Sequence, residues 1–295
     1  MERWATPDHD FVDILRLDAS PNCPRLFLLH GLEGTVRSHY VGGLLQMARE
    51  HEWGADMLIF RSCGDEPNRA PRFYHSGETG DLDFCLQRVL DEFADVPIVL
   101  CGVSLGGNVL LKWLGEQGES VPERVRAAAA VSVPFDLERG SRHISRGFLC
   151  VYERHFLRTL RQKATAKLTH YPKLFDRDAM AEAQTLFDFD DAVTAPVHGF
   201  RDAHDYYARS SSLQFLPQIR RPTLLLSARD DPFLPEAVLD EVIEVARLNP
   251  WLTVEFHEHG GHVGFVCGTP WRPVYYAERR VGEFLLDALR RDGRR

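Results

Sequence analysis

The 295-residue sequence lacks the features that would send a chain into a bilayer, out of the cell or onto a nucleic acid. No run approaches the roughly 18 apolar residues needed to span a membrane, so stable membrane insertion is not expected. Residues 1–20 carry Asp and Glu and contain no apolar h-region, which predicts no signal peptide. The six cysteines (Cys23, Cys63, Cys85, Cys101, Cys150 and Cys267) are scattered, with no C-x-x-C pair. They read as reduced thiols, and the expected location is cytoplasmic. Positive charge is also short: 35 Lys and Arg face 43 Asp and Glu, a formal net charge of −8. A phosphate backbone would find no global attraction, so no nucleic-acid partner is expected. Repeats, low-complexity tracts and Pro/Gly-rich linkers are missing as well, and residues 1–295 are read as a single domain.

What is present is an ordinary globular composition, 44% hydrophobic and 26% charged. Short apolar runs predict strands at residues 11–17, 26–29, 57–60, 98–101, 127–133, 223–227 and 252–256. Helical spacing appears at 81–93, through Leu82, Cys85, Leu86, Val89, Leu90 and Phe93, and again at 108–116, 236–248 and 281–291. Strands alternating with helices predict an α/β fold with a mostly parallel central sheet and helices on both faces. The alternation stops between 133 and 219, where the patterns are helical only. Residues 136–218 are therefore read as a helical cap inserted over the sheet's carboxyl edge, where open α/β sheets place their sites.

The sequence Gly102-Val103-Ser104-Leu105-Gly106 follows one of the buried strands and precedes a helix. A serine on such a sharp turn is lifted above the sheet, and small residues two positions to either side prevent backbone clashes. In this context G-x-S-x-G resembles the nucleophile elbow of the α/β hydrolases, and Ser104 is the expected nucleophile. A serine hydroxyl needs an imidazole base oriented by a carboxylate, in the chain order Ser, acid, His. Asp231 follows the strand at 223–227 and has Pro235 four residues on, with Asp230 its close rival. Of thirteen histidines only His257, His259 and His262 come later. His257 ends a predicted strand, whereas His262 sits in the flexible Gly260-Gly261-His262-Val263-Gly264 loop and is the expected base, with His259 second. A metal site built from the three histidines is the competing reading of this loop; the triad explains the same residues, and no metal or cofactor is called for. The oxyanion hole needs two backbone N–H groups, expected from Leu105 and from Leu32 in the loop His30-Gly31-Leu32-Glu33-Gly34. His30 is read as a structural hydrogen-bonder.

These residues lie in stretches that resemble the YheT-like branch of the α/β hydrolases: HGLEGT at 30–35, YHSGETGDL at 74–82, GVSLGGNVLLKWLGE at 102–116, SVPFDL at 132–137, FDFDDAVTAPVHGF at 187–200, PTLLLSARDDPF at 222–233 and GGHVGF at 260–265. The resemblance runs through nearly the whole chain, cap included. It implies a serine-triad hydrolase related to medium-chain phospholipases and to fungal acyltransferases that make medium-chain esters. It supports Ser104, His262 and the Asp230–Asp231 pair without choosing within the pair. The expected function is cleavage of a small-molecule acyl ester, of lipid or medium-chain type, through an acyl-enzyme on Ser104. An acyltransferase with an alcohol acceptor and a non-catalytic binding module are the alternatives.

Within the cap, residues 139–177 hold ten Arg and Lys against Glu153 and Asp176, and 178–205 is acidic. The basic segment admits transient contact with an anionic membrane surface. A solvated helix face balanced by its acidic neighbour is the preferred reading. Phe148, Val151, Tyr152, Phe156, Leu157 and Leu160 fall at roughly helical spacing and are read as packing the cap on the core, with an acyl pocket as the second use. Tyr74 and His75 lie outside the triad logic, and Cys101 and Trp113 read as core.

Overall fold

A computed structural model describes residues 1–269 and 271–292, apart from the side chains of Phe148 and Asp292. Residues 270 and 293–295 of the expected single domain lie outside the described set. In chain order the main elements are β1 (Glu2–Ala5), β2 (Phe11–Leu17), β3 (Arg25–Leu29), α1 (His39–Glu50), β4 (Gly54–Ile59), α2 (Gly80–Glu92), β5 (Ile98–Val103), α3 (Leu105–Gln117) and β6 (Val125–Val131). The cap helices follow: α4 (Leu137–Ile144), α5 (Cys150–His170), α6 (Arg177–Glu182), α7 (Leu186–Phe189), α8 (Ala195–His198) and α9 (Ala203–Ser210). The chain then returns through β7 (Thr223–Ala228), α10 (Glu236–Leu248), β8 (Leu252–His257), a hairpin of β9 (Val266–Thr269) and β10 (Arg272–Tyr275), and α11 (Tyr276–Asp292).

Eight strands form one sheet in the order β1-β2-β4-β3-β5-β6-β7-β8. Only β1 and β2 run antiparallel to their neighbours, so the sheet is mostly parallel, as expected. The segments β3, β4, β5 and β7 are buried at every position, which is why they read as unbroken apolar runs rather than alternating ones. The crossover β3-α1-β4 steps toward one edge, while β4-α2-β5 and β5-α3-β6 step toward the other. Right-handed crossovers then set α1 on the face opposite α2 and α3. The later helix α11 packs on α1. Helices therefore cover both faces.

Two departures from the sequence reading have physical causes. The strand β4 starts at Gly54, three residues before the apolar run, because it takes in Asp56. That carboxylate is fully buried and neutralised by Arg16 (2.7 Å) and Arg25 (2.8 Å). Helix α1 was not anticipated. It contains Gly42 and Gly43, poor helix formers, and at Gly43 a β-carbon would lie 2.8 Å from Glu278 of α11. Close packing of two helices takes precedence over local propensity there.

Between β6 and β7 the described chain is helical. It carries its own small core of Leu157, Ala164, Leu168, Phe175, Met180, Ala183, Phe189 and Val193, separate from the core around the sheet. The last turn of the insertion, Ser212–Gln218, packs on α3 and α10 instead of over the strand ends.

Candidate active site

Parallel strands deliver their loops to one edge. The loops after β3, β5, β7 and β8 bring His30–Gly34, Ser104, Asp230–Asp231 and His259–His262 there. Ser104 joins β5 to α3 with φ 54° and ψ −121°, a conformation that costs an L-residue strain. The turn exists because of its glycines. A β-carbon at Gly102 would stand 2.5 Å from the Gly106 carbonyl oxygen, and one at Gly106 would stand 2.5 Å from the His30 carbonyl oxygen. The loop after β3 is thereby drawn against the start of α3.

Ser104 Oγ lies 2.9 Å from His262 Nε2, and His262 Nδ1 lies 2.8 Å from Asp231 Oδ2. The Asp231 side chain is wholly buried, its other oxygen accepting the Phe233 N–H at 2.8 Å, while the His262 side chain keeps 15% exposure. Asp230 faces the other way. It accepts the N–H groups of Gly260 (2.9 Å) and Gly261 (2.8 Å), and His259 Nδ1 lies 3.3 Å from it. Those bonds, the Gly261 N–H first, hold its carboxyl below the usual range. One aspartate thus meets the imidazole while its neighbour ties down the loop that carries it. The left-handed φ of 62° at Gly261 lets that loop turn. Ser132, at the end of β6, donates to the His262 carbonyl.

On the opposite side, the Gly31 N–H donates to Tyr40 Oη (2.9 Å) and the Glu33 N–H to Tyr74 Oη (2.8 Å). The Leu32 N–H between them has no protein acceptor among the described residues, nor has the Leu105 N–H at the first position of α3. His30 is fully buried, Nδ1 against the Gly31 carbonyl (2.8 Å) and Nε2 accepting the Phe60 N–H (3.1 Å). Burial pushes it down to about 4, so it is a neutral structural ring.

Above these groups lies a cavity of about 430 Å³, lined by Ser104, His262, Leu32 and Leu105 below and by the cap above. Tyr152, Phe156 and Leu160 recur every four residues on α5 and face this cavity. Leu157 is turned into the cap's own core and Val151 is 56% exposed. The expected apolar stripe is therefore split between pocket, core and solvent. The Phe148 side chain lies outside the described residues.

A family model described as the alpha/beta hydrolase fold matches residues 24–268. Over 98% of its length the chain is 39% identical to YheT of Escherichia coli, covering 85% of that protein. The chain belongs to the YheT-like branch of the α/β hydrolases. It is also 30% identical to the phospholipase ABHD3 of Mus musculus over 91% of this chain, but spans 64% of that relative's length. Among solved structures, the Pyrococcus furiosus esterase Pf2001 superposes with a TM-score of 0.64 at 17% identity, covering 97% of this chain and 91% of that one. That likeness is one of fold.

In this family member the three late histidines have three separate neighbours. His257 packs edge-on against Tyr276 (5.0 Å), His259 stands exposed beside Asp230, and His262 lies between Ser104 and Asp231. Several contacts around the site were not read from sequence. Tyr40 and Tyr74 accept the amides of Gly31 and Glu33, and Tyr74 also donates to Glu33 Oε1 (2.8 Å). Lys163 of the cap reaches the same carboxylate at 2.6 Å. Asn108, buried on α3, donates to the carbonyls of Ser76 and Ser210 and accepts the Ser212 N–H. The only sequence trace of Tyr74 and Asn108 is that both fall in the family-like stretches. His75 lines the cavity as a neutral ring, its pKa pushed down to about 3 by burial. Cys101 is a fully buried thiol pushed up to about 12, also by burial, and Trp113 is in the core with its Nε1 donating to Asp83. Of the basic cap segment, Arg139, Arg142 and Lys163 are ion-paired, and Lys167 donates to the carbonyls of Asn68 and Ala70. Arg154, Arg158 and Lys173 are exposed.

Proposed function

We propose that the chain is a serine hydrolase of carboxylic esters. The observation that carries this is the unbroken line from Asp231 through His262 to Ser104, ending in a cavity beneath the cap. His262 Nε2 accepts the Ser104 proton as Oγ attacks the acyl carbon, and Asp231 holds the Nδ1–H and stabilises the imidazolium. The N–H groups of Leu32 and Leu105 receive the oxyanion, with the positive end of α3 behind them. Collapse of the tetrahedral intermediate expels the alcohol, which takes its proton from His262. Water then attacks the acyl-enzyme by the same route and the acid leaves. The Lys163–Glu33–Tyr74 contacts hold the loop that carries Leu32.

The substrate class is apolar acyl esters of lipid or medium-chain type. Tyr152, Phe156 and Leu160 give the cavity an apolar roof, and its volume falls in the ordinary range for small-molecule sites. The mouse relative bears the name phospholipase, although the chain covers 64% of it. The cytoplasm is the proposed location, consistent with six unpaired cysteines. No described helix is long and apolar enough to cross a membrane. The test is Ser104→Ala against short p-nitrophenyl esters. Turnover should fall roughly 10⁴-fold or more, with the circular-dichroism spectrum unchanged. Wild-type-like turnover in that variant would remove Ser104 from the mechanism.

A further inference from the structure

The cavity has a second polar point that the triad does not use. The stretch 187–200 carries one π-helical turn, Asp190–Thr194, a geometry that breaks the usual hydrogen-bond register and recurs at functional sites. Its first residue, Asp190, accepts from Thr194 Oγ1 (2.6 Å) and from Tyr207 Oη (2.7 Å). No ion pair involves it among the described residues. It is half-buried, and the cavity opens against it. Phe189, Thr194, Tyr206 and Tyr207 share that wall.

An acid in such surroundings is costly unless its hydrogen-bonding capacity is used. A carboxylate has about four lone-pair sites, and the two hydroxyls occupy two of them. Among the described residues no further side-chain donor meets it, and Asp190 lines the cavity that also holds Ser104. Pockets of this kind are mostly apolar, with a few fixed polar groups that set orientation. We propose that Asp190, oriented by Thr194 and Tyr207, is a binding subsite for a hydroxyl group carried by the ester substrate. Burial pushes its carboxyl up to about 6, so near neutral pH both protonation states are populated. A hydroxyl, donor and acceptor at once, suits either state, whereas an ammonium suits only the anion.

The inference rests on the ester-hydrolase reading and deepens it. The hydroxyl can be carried on the acyl chain or on the alcohol, and two substrate pairs separate these sources. One compares p-nitrophenyl esters of a medium-chain acid and of its ω-hydroxy analogue; the other compares the ethyl ester and the 2-hydroxyethyl ester of one acid. In one pair the hydroxylated ester should show kcat/KM roughly tenfold higher or more, chiefly through KM. Asp190→Val should bring that ratio to about one, and Tyr207→Phe should lower it part-way. A purely structural role would lower both members of a pair and leave the ratio alone. Equal kcat/KM within both pairs in the wild-type enzyme overturns the subsite, even if the variants fail to fold. So does a ratio that survives Asp190→Val, or a stronger preference for an ω-amino ester. Cleavage of plain esters without preference removes the subsite alone; cleavage of none removes the hydrolase reading with it.

Discussion

The two walls of the cavity are built differently. The lower wall is a set of strand ends joined by backbone bonds: Ser104 N–H to the Val131 carbonyl (2.8 Å), Ser132 N–H to Leu226 (2.8 Å), and Arg229 N–H to His257 (2.7 Å). Behind it stands the large core of the sheet. The upper wall has a small core of its own and meets the rest through the rings of Tyr152 and Phe156 against Phe233 and through polar pins, among them Lys163 to Glu33, Lys167 to the carbonyls of Asn68 and Ala70, and the Asn108 amide to Ser210 and Ser212. Chemistry is placed where backbone geometry cannot drift. On the proposed reading, substrate choice falls to the upper wall, which has a core separate from that behind Ser104.

The sharpest way to break this contrast lies on the rigid wall, between two adjacent aspartates. Asp231→Asn should lower kcat by about 10³–10⁴-fold, whereas Asp230→Asn should cost about tenfold through a looser Gly260–Gly261 turn. Equal losses in steady-state assays would mean that the two do not divide the work as their bonds suggest. The next effect belongs to the cap core. Leu157→Ala should cost about 2–4 kcal/mol of local stability, read as lost hydrogen-exchange protection in α5 with the amides of β5 unaffected. Loss spread evenly over both units would make cap and sheet one cooperative body.

Smaller effects sharpen the link between the walls. Lys163→Met should lower kcat by about tenfold with less change in KM, since it releases the oxyanion loop and not the acyl pocket. A double-mutant cycle with Glu33→Gln should show the two changes to be non-additive. The smallest effect is on stability. Asp190 has a folded pKa of about 6 against the ordinary 3.8, so the folded state holds the proton more tightly. Its contribution to stability therefore declines as pH rises from about 4 through 6 and stays reduced above that. Asp190→Asn should raise Tm relative to wild type at pH 8 more than at pH 4.5; the opposite order would show that the carboxylate is well satisfied.

Much of the lower wall was legible in the sequence because it depends on local pattern. Strands buried on both faces read as apolar runs, and the glycines around Ser104 and His262 mark turns that few other residues permit. Between Asp230 and Asp231 the sequence offered only the Pro235 spacing, which favoured Asp231. Adjacent residues leave a turn in opposite directions, and only the fold shows which meets His262. The contacts of Tyr74 and Lys163 were not legible for a related reason, since their partner Glu33 lies 41 and 130 residues away. The cap was read as helical, but not how its helix faces divide. On α5, residues 156 and 157 are chemically alike, and the fold sends one to the cavity and the other to the cap core.

The central claim is that Ser104 is the nucleophile of this site. Its most direct test is reaction of the folded wild-type protein with a fluorophosphonate, followed by intact-mass and peptide-level mass spectrometry. One adduct per chain is expected, on the peptide that contains Ser104, absent in Ser104→Ala and strongly slowed in His262→Ala. An unlabelled Ser104 in protein that still hydrolyses esters, or an adduct on a different residue, would contradict it.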